Sequence, residues 1–186
     1  HLLWINLITD SLPALAMATE KAEPGIMKRK PRNPKDGIFA GGVGFDCLVQ
    51  GSIIALLTLA SYFIGHYFEY GTFDISQVIT NPEAGVEGMT MAFLTLSMVE
   101  MFHSFNMRSL RGSIFKLTSQ NIWLWGSFVV SLILTFVVIE TPLSQAFGFA
   151  EIGFEEYAMA MLLAASIIPL MELYKAVMRS VQKNKA

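Results

Sequence analysis

Five runs of 17 to 24 mostly apolar residues, at about 2–18, 45–68, 89–106, 122–139 and 157–174, constrain this chain more than any other feature. A helix rises ~1.5 Å per residue and bilayer hydrocarbon is ~30 Å thick, so about 20 apolar residues make one crossing. Lipid cannot hydrogen-bond a bare backbone, so such runs cross as helices. The expectation is an all-α polytopic membrane protein, a bundle of five transmembrane helices in one domain over 1–186.

Composition agrees. With 53% hydrophobic and 15% charged residues, the chain is too apolar for an ordinary water-soluble domain of this size. Its 13 basic residues fall in three places: Lys21, Lys28, Arg29, Lys30, Arg32 and Lys35 after the first run, Arg108, Arg111 and Lys116 after the third, and Lys175, Arg179, Lys183 and Lys185 after the fifth. The connectors 69–88 and 140–156 hold none and carry eight acids. Lys and Arg collect on the cytoplasmic side of membrane proteins, so the basic connectors are predicted inside and the acidic ones outside. The net charge of −2 therefore conceals two oppositely charged faces, and no nucleic-acid-binding motif appears. The single Cys47 excludes an internal disulfide, and on an apolar run it reads as a buried, inert thiol.

The chain begins His1-Leu2-Leu3-Trp4 without a Met or a signal-peptide pattern, which reads as a piece of a longer protein. Residues 20–40 read as a basic connector, because Pro24, Pro31 and Pro34 oppose a continuous helix. Gly51 and Gly65 within the second run suggest close helix packing. Connector 69–88 reads as turns.

Acids at membrane depth are costly by at least ~2.5 kcal/mol and usually mark transport or pairing. Two stand out, Asp10 and Glu100. On a regular helix Asn6, Thr9 and Asp10 stand at i, i+3 and i+4 and share a face. Pro13 has no N–H to bond the Thr9 carbonyl, so the helix is expected to lose regular bonding between Thr9 and Pro13. An amide oxygen, a hydroxyl, a carboxylate and a freed carbonyl are the hard oxygen ligands that calcium takes, and transporters use broken helices for ions at mid-membrane. The competing reading is that these groups merely hydrogen-bond between helices, and that Glu100 pairs with His103 one turn on. His66 and His103 have no partner at metal-ligand spacing. Asp46 and Glu172 lie near span ends and read as boundary residues. No P-loop, dinucleotide glycine pattern or nucleophile triad is present.

The stretch Leu-Leu-Trp-Ile-Asn-Leu-Ile-Thr-Asp-Ser-Leu-Pro at 2–13, followed by Ile-Met-Lys-Arg-Lys-Pro-Arg-Asn-Pro at 26–34, resembles the sixth transmembrane helix and next cytoplasmic loop of type II P-type ATPases. Met-Thr-Met-Ala-Phe at 89–93, leading to Val-Glu-Met at 99–101, resembles the eighth helix of calcium pumps of the sarcoplasmic-reticulum type. Asn121, Ile122 and Trp123 resemble the start of the ninth. The resemblance covers helices six to ten and implies that Asn6, Thr9, Asp10 and Glu100 are calcium ligands. Sodium-potassium pumps are similar in the basic loop but have Asp at the Asn6 position and no match to Glu100. Secretory-pathway and plasma-membrane calcium pumps typically have Met at the Thr9 position. Ser11 departs from the Gly of animal sarcoplasmic-reticulum pumps.

The implied function is part of an ATP-driven pump exporting Ca2+ from the cytoplasm. ATP, Mg2+ and the phosphorylated aspartate would belong to the rest of the parent, so this stretch alone is expected to be inactive. The implied partners are the lipid bilayer, in a bacterium the cell membrane, and the N-terminal half of the same pump. Two alternatives stay open: a sodium, potassium or proton pump of the same superfamily, and a stand-alone membrane scaffold or channel subunit.

Overall fold

The computed structural model describes residues 1–22, 27, 31, 35–74, 76, 85–110, 112–117 and 119–183. Much of the basic stretch (Pro24, Lys28, Arg29, Lys30, Arg32 and Pro34), together with Arg111, Lys185 and the Glu83 region of connector 69–88, lies outside the described residues.

The chain is an all-α helix bundle, and no strand occurs among the described residues. Helix α1 runs Leu2–Met17, α2 Val43–Tyr70, α3 Val86–Met107, α4 Ile122–Glu140, α5 Leu143–Phe147, α6 Phe154–Ala165 and α7 Ile167–Lys183. Helices α6 and α7 form one apolar rod with a break at Ser166, where Pro169 cannot donate to the carbonyl of Ala165. By length and composition, α2, α4 and the α6–α7 rod are each sufficient to cross a membrane, and α1 is a shorter apolar helix.

Helix α3 shows why composition alone under-reads a bundle. Its 22 residues are long enough to cross, yet they include Glu87, Glu100, His103 and several hydroxyls. It is the central helix, packed by α1, α2, α4, α6 and α7, and Met91, Leu94, Met98, Val99 and Met101 are fully buried. A helix surrounded by protein need not be apolar toward lipid. Helix α2 is the opposite case: it exposes Phe45, Leu48, Leu56 and Leu59 along one side, a continuous apolar face of the kind that lipid covers. Cys47 lies on this helix and is exposed, not buried as expected. It stands on an apolar run because the run faces outward.

Two further differences concern polar ends. The connector after α4 contains a short helix, α5, started by Pro142 and ended by the left-handed Gly148. It folds back so that Phe147 and Phe149 stack on His1 at the start of α1. Lys175, counted from sequence among the connector cations, is buried at 4% exposure and donates to the Asn106 carbonyl at 2.6 Å. That carbonyl belongs to the last turn of α3, where the helix dipole and unbonded carbonyls favour a cation. The boundary acids are also tied down: Asp46 accepts from the Tyr174 hydroxyl at 2.6 Å and Glu172 from the Ile114 amide at 2.9 Å.

Candidate functional site

Helix α1 is not a uniform α-helix. Residues Ile5–Asp10 wind as a π-helix between α-helical Leu2–Trp4 and Ser11–Met17. The expected irregularity is thus shifted: the π turn reaches only Thr9 and Asp10 of the stretch between Thr9 and Pro13, most of it lies earlier, and the helix continues through the proline. An added residue in the turn ahead of Pro13 accommodates the ring that would otherwise press on the Thr9 carbonyl. The Ser11 hydroxyl, donating to the Asn6 carbonyl at 3.0 Å, spans this widened turn.

The π winding also changes which side chains share a face. Thr9 is 1% exposed and points into the bundle, whereas Asn6 and Asp10 are exposed. The i, i+3, i+4 argument assumed regular winding; in the wider turn Thr9 is buried while Asn6 stays on the outer side, and Asp10, although exposed, keeps within reach of Glu100.

Inward, the Thr9 hydroxyl meets two acceptors, the Ile5 carbonyl at 2.8 Å and Glu100 Oε2 at 2.9 Å. A hydroxyl carries one proton, so it serves one of them fully or both partially. Glu100 is thereby joined to α1 and not to His103, whose Nε2 pairs with Gln50 Oε1 at 3.1 Å. Asp10 lies beside Glu100, close enough for the two carboxyls to interact. The structure thus brings Thr9, Asp10 and Glu100 together from two helices, while Asn6 stands on the outer side of the same turn. Two carboxyls side by side repel when both are ionised, so the pair is suited to taking up a cation or a shared proton. Among the described residues no cluster holds three or more His, Cys, Asp or Glu; the oxygens gathered here are two carboxyls with neutral groups, a donor set for a hard cation.

Sequence reasoning missed the support from α4. Ser131 donates to the Ile8 carbonyl at 3.3 Å, inside the π segment. Ser127, Ser131 and Thr135 are all buried. Their spacing of four on an otherwise apolar run was the available signal.

With this geometry in hand, comparison with known proteins places the chain closely. A family model described as cation transporting ATPase, C-terminus, matches residues 1–177. Calcium-transporting ATPase 1 of Bacillus cereus is 36% identical over 175 residues, covering 91% of this chain and 19% of that protein. The calcium-transporting ATPase of Bacillus subtilis is 34% identical over 142 residues, 76% of this chain and 15% of its own length. An endoplasmic reticulum-type calcium-transporting ATPase of Arabidopsis thaliana is 30% identical over 197 residues, 97% of this chain and 20% of its own length. The chain spans about a fifth of the length of these relatives.

Proposed function

The chain belongs to the cation-transporting ATPases, as their C-terminal membrane part, and from that premise we propose that it supplies part of the cation site of an ATP-driven calcium pump. Thr9 and Asp10 on α1 and Glu100 on α3 are the ligands the geometry gathers, Asn6, on the outer side of the same turn, is the further ligand that the family resemblance implies, and calcium is the transported ion. The relatives named above, each called a calcium-transporting ATPase, support calcium over other cations.

The observation that carries the reading is the 2.9 Å bond from Thr9 to Glu100, with Asp10 alongside. It joins two helices at the point where each presents an acid at membrane depth, and a bare pair of acids there is unfavourable without a cation or a shared proton. Five helical rods cross the bilayer in this reading: α1, α2, α3, α4 and α6 with α7. The basic connectors face the cytoplasm, consistent with their Lys and Arg content. ATP and Mg2+ act in the remainder of the pump, and movement of its helices would open and close the site.

The test is Asp10→Asn in the full-length pump. Loss of the more exposed carboxylate abolishes calcium-dependent phosphorylation from ATP; near-normal calcium dependence would remove the assignment.

A further inference from the structure

Resting on the cation-site reading above, we propose that Glu20 and Arg108 are positioning residues: a clasp at the basic-connector ends of α1 and α3 that sets how Thr9 and Asp10 meet Glu100, and so tunes cation affinity without touching the ion.

The clasp is a fork. Arg108 Nε donates to Glu20 Oε2 at 3.1 Å and Nη2 to Glu20 Oε1 at 2.8 Å. A planar guanidinium bound through two nitrogens fixes direction as well as distance. The side chains are 6% and 16% exposed, so salt and water screen the pair less than a surface bridge. Arg108 follows Met107, the last residue of α3, and Glu20 lies three residues beyond the end of α1.

Its position along the bundle gives it leverage. Glu100 and Arg108 are eight residues apart and Thr9 and Glu20 eleven, so at ~1.5 Å per residue the clasp lies more than two helical turns from the ligands. One contact between two helices leaves a pivot; two contacts separated along the axis fix both spacing and rotation. Thr9–Glu100 and Glu20–Arg108 are two such polar contacts, added to the apolar packing between the helices.

The same carboxylate gathers α4. Asn121 Nδ2 donates to Glu20 Oε2 at 2.8 Å and to the Ala16 carbonyl at 3.0 Å. Its Oδ1 accepts from the amides of Trp123 and Leu124, capping α4. Arg108 Nη2 also donates to the Ser119 carbonyl at 2.6 Å. Helix α4 then returns to the site through Ser131 and the Ile8 carbonyl. Glu20 therefore ties the end of α1 to the ends of α3 and α4, the two helices whose side chains hydrogen-bond the π segment at Thr9 and at the Ile8 carbonyl.

The experiment is a calcium titration of ATP-dependent phosphorylation in the full-length pump carrying Arg108→Ala or Glu20→Gln. Half-saturating calcium rises about three- to tenfold, while the rate at saturating calcium stays within about twofold, the signature of altered binding rather than altered chemistry. The exchange Glu20→Arg with Arg108→Glu recovers part of the lost affinity. Should Arg108→Ala not accumulate, the isosteric Glu20→Gln carries the measurement. Unchanged half-saturating calcium in Glu20→Gln, or a fall in maximal rate alone, overturns the proposal. Asp10→Asn run in parallel separates the two readings: if it too leaves calcium dependence intact, the cation site is wrong; if it abolishes dependence while the clasp variants are silent, only the clasp is.

Discussion

Gly65 on α2 and Gly88 on α3 meet backbone to backbone: a Cβ on Gly65 would lie 2.7 Å from the Gly88 Cα, and a Cβ on Gly88 would lie 2.7 Å from the Tyr62 carbonyl oxygen. Hydroxyls continue the seam, with Ser61 donating to the Met91 carbonyl at 3.1 Å and Thr95 to Ser61 at 2.7 Å. Small residues and interhelical hydrogen bonds replace the hydrophobic effect where helices associate in lipid. The most outward helix is thereby locked to the central one that carries Glu100.

That seam predicts an asymmetry among glycines. Gly88→Ala drives a methyl into backbone and should destabilise the chain by about 1–3 kcal/mol, as overpacking does. Gly51→Ala, on the same α2 as Gly65 but with open space where its Cβ would be, should be neutral or stabilising by up to about 1 kcal/mol, since Ala is the better helix former. Thermal unfolding in detergent compares them directly. Equal effects at both positions would mean that the seam does not hold the bundle.

Much of the helical architecture was legible in the sequence because apolar runs report directly on helices. Gly51 and Gly65 were both read as close-packing residues from type and setting; Gly65 is one, whereas Gly51 faces open space on the outward side of α2. The identity of Asp10 and Glu100 as the notable acids came from their depth. What was not legible depended on winding and neighbours. The π turn buried Thr9 and left Asn6 on the outer side, which no fixed periodicity contains. Cys47 was misplaced because an apolar residue in lipid points outward as readily as inward. The burial of Lys175 was not legible because a cation near a span end can turn back to cap a neighbouring helix.

Thr9 offers the sharpest separation between ligand and structural roles. Thr9→Val keeps the shape but removes the hydroxyl that Glu100 and the Ile5 carbonyl share. Losing one oxygen ligand and the orientation of a second should weaken apparent calcium affinity at least about tenfold. Thr9→Ser should stay near the parent value. Glu100→Gln, which still accepts from Thr9 but loses its charge, should weaken or reshape calcium activation. If Thr9→Val alters yield but not calcium dependence, the hydroxyl is only an interhelical tie.

The clasp has a pH signature in stability. The hydrogen bond from Arg108, helped by Asn121 and by the guanidinium charge, holds the Glu20 carboxyl below the usual carboxylate range, against the opposing effect of partial burial. A carboxyl depressed in the folded state stabilises the fold above its unfolded value of about 4.3, and the contribution fades as pH falls from there through the depressed value. Glu20→Gln should therefore lower stability at pH 7 by about 1–2 kcal/mol. The gap from the parent should narrow below about pH 4. Unfolding temperatures of both proteins across that range test it; a gap independent of pH would show that the charge is not what matters.

Calcium binding by the isolated chain tests whether these helices hold a whole site or part of one. Calcium takes about 6 to 8 oxygens, and high affinity requires several of them on a rigid frame. Asn6, Thr9, Asp10 and Glu100 provide two neutral oxygens and two carboxyls, about four to six oxygens depending on how many each carboxyl contributes. Asn6 and Asp10 are exposed, so their side chains can hydrate instead of converging, and Thr9 already spends its proton on Glu100 and a carbonyl. The remaining ligands must come from water or from the rest of the pump. The expected dissociation constant is therefore about 10⁻⁴ to 10⁻³ M or weaker, the range of the loosest calcium modules. Calorimetry on the detergent-solubilised chain measures it. Micromolar binding that disappears in Asp10→Asn would mean that α1 and α3 close around the ion unaided, and the division of the site between this region and the rest of the pump would have to be redrawn.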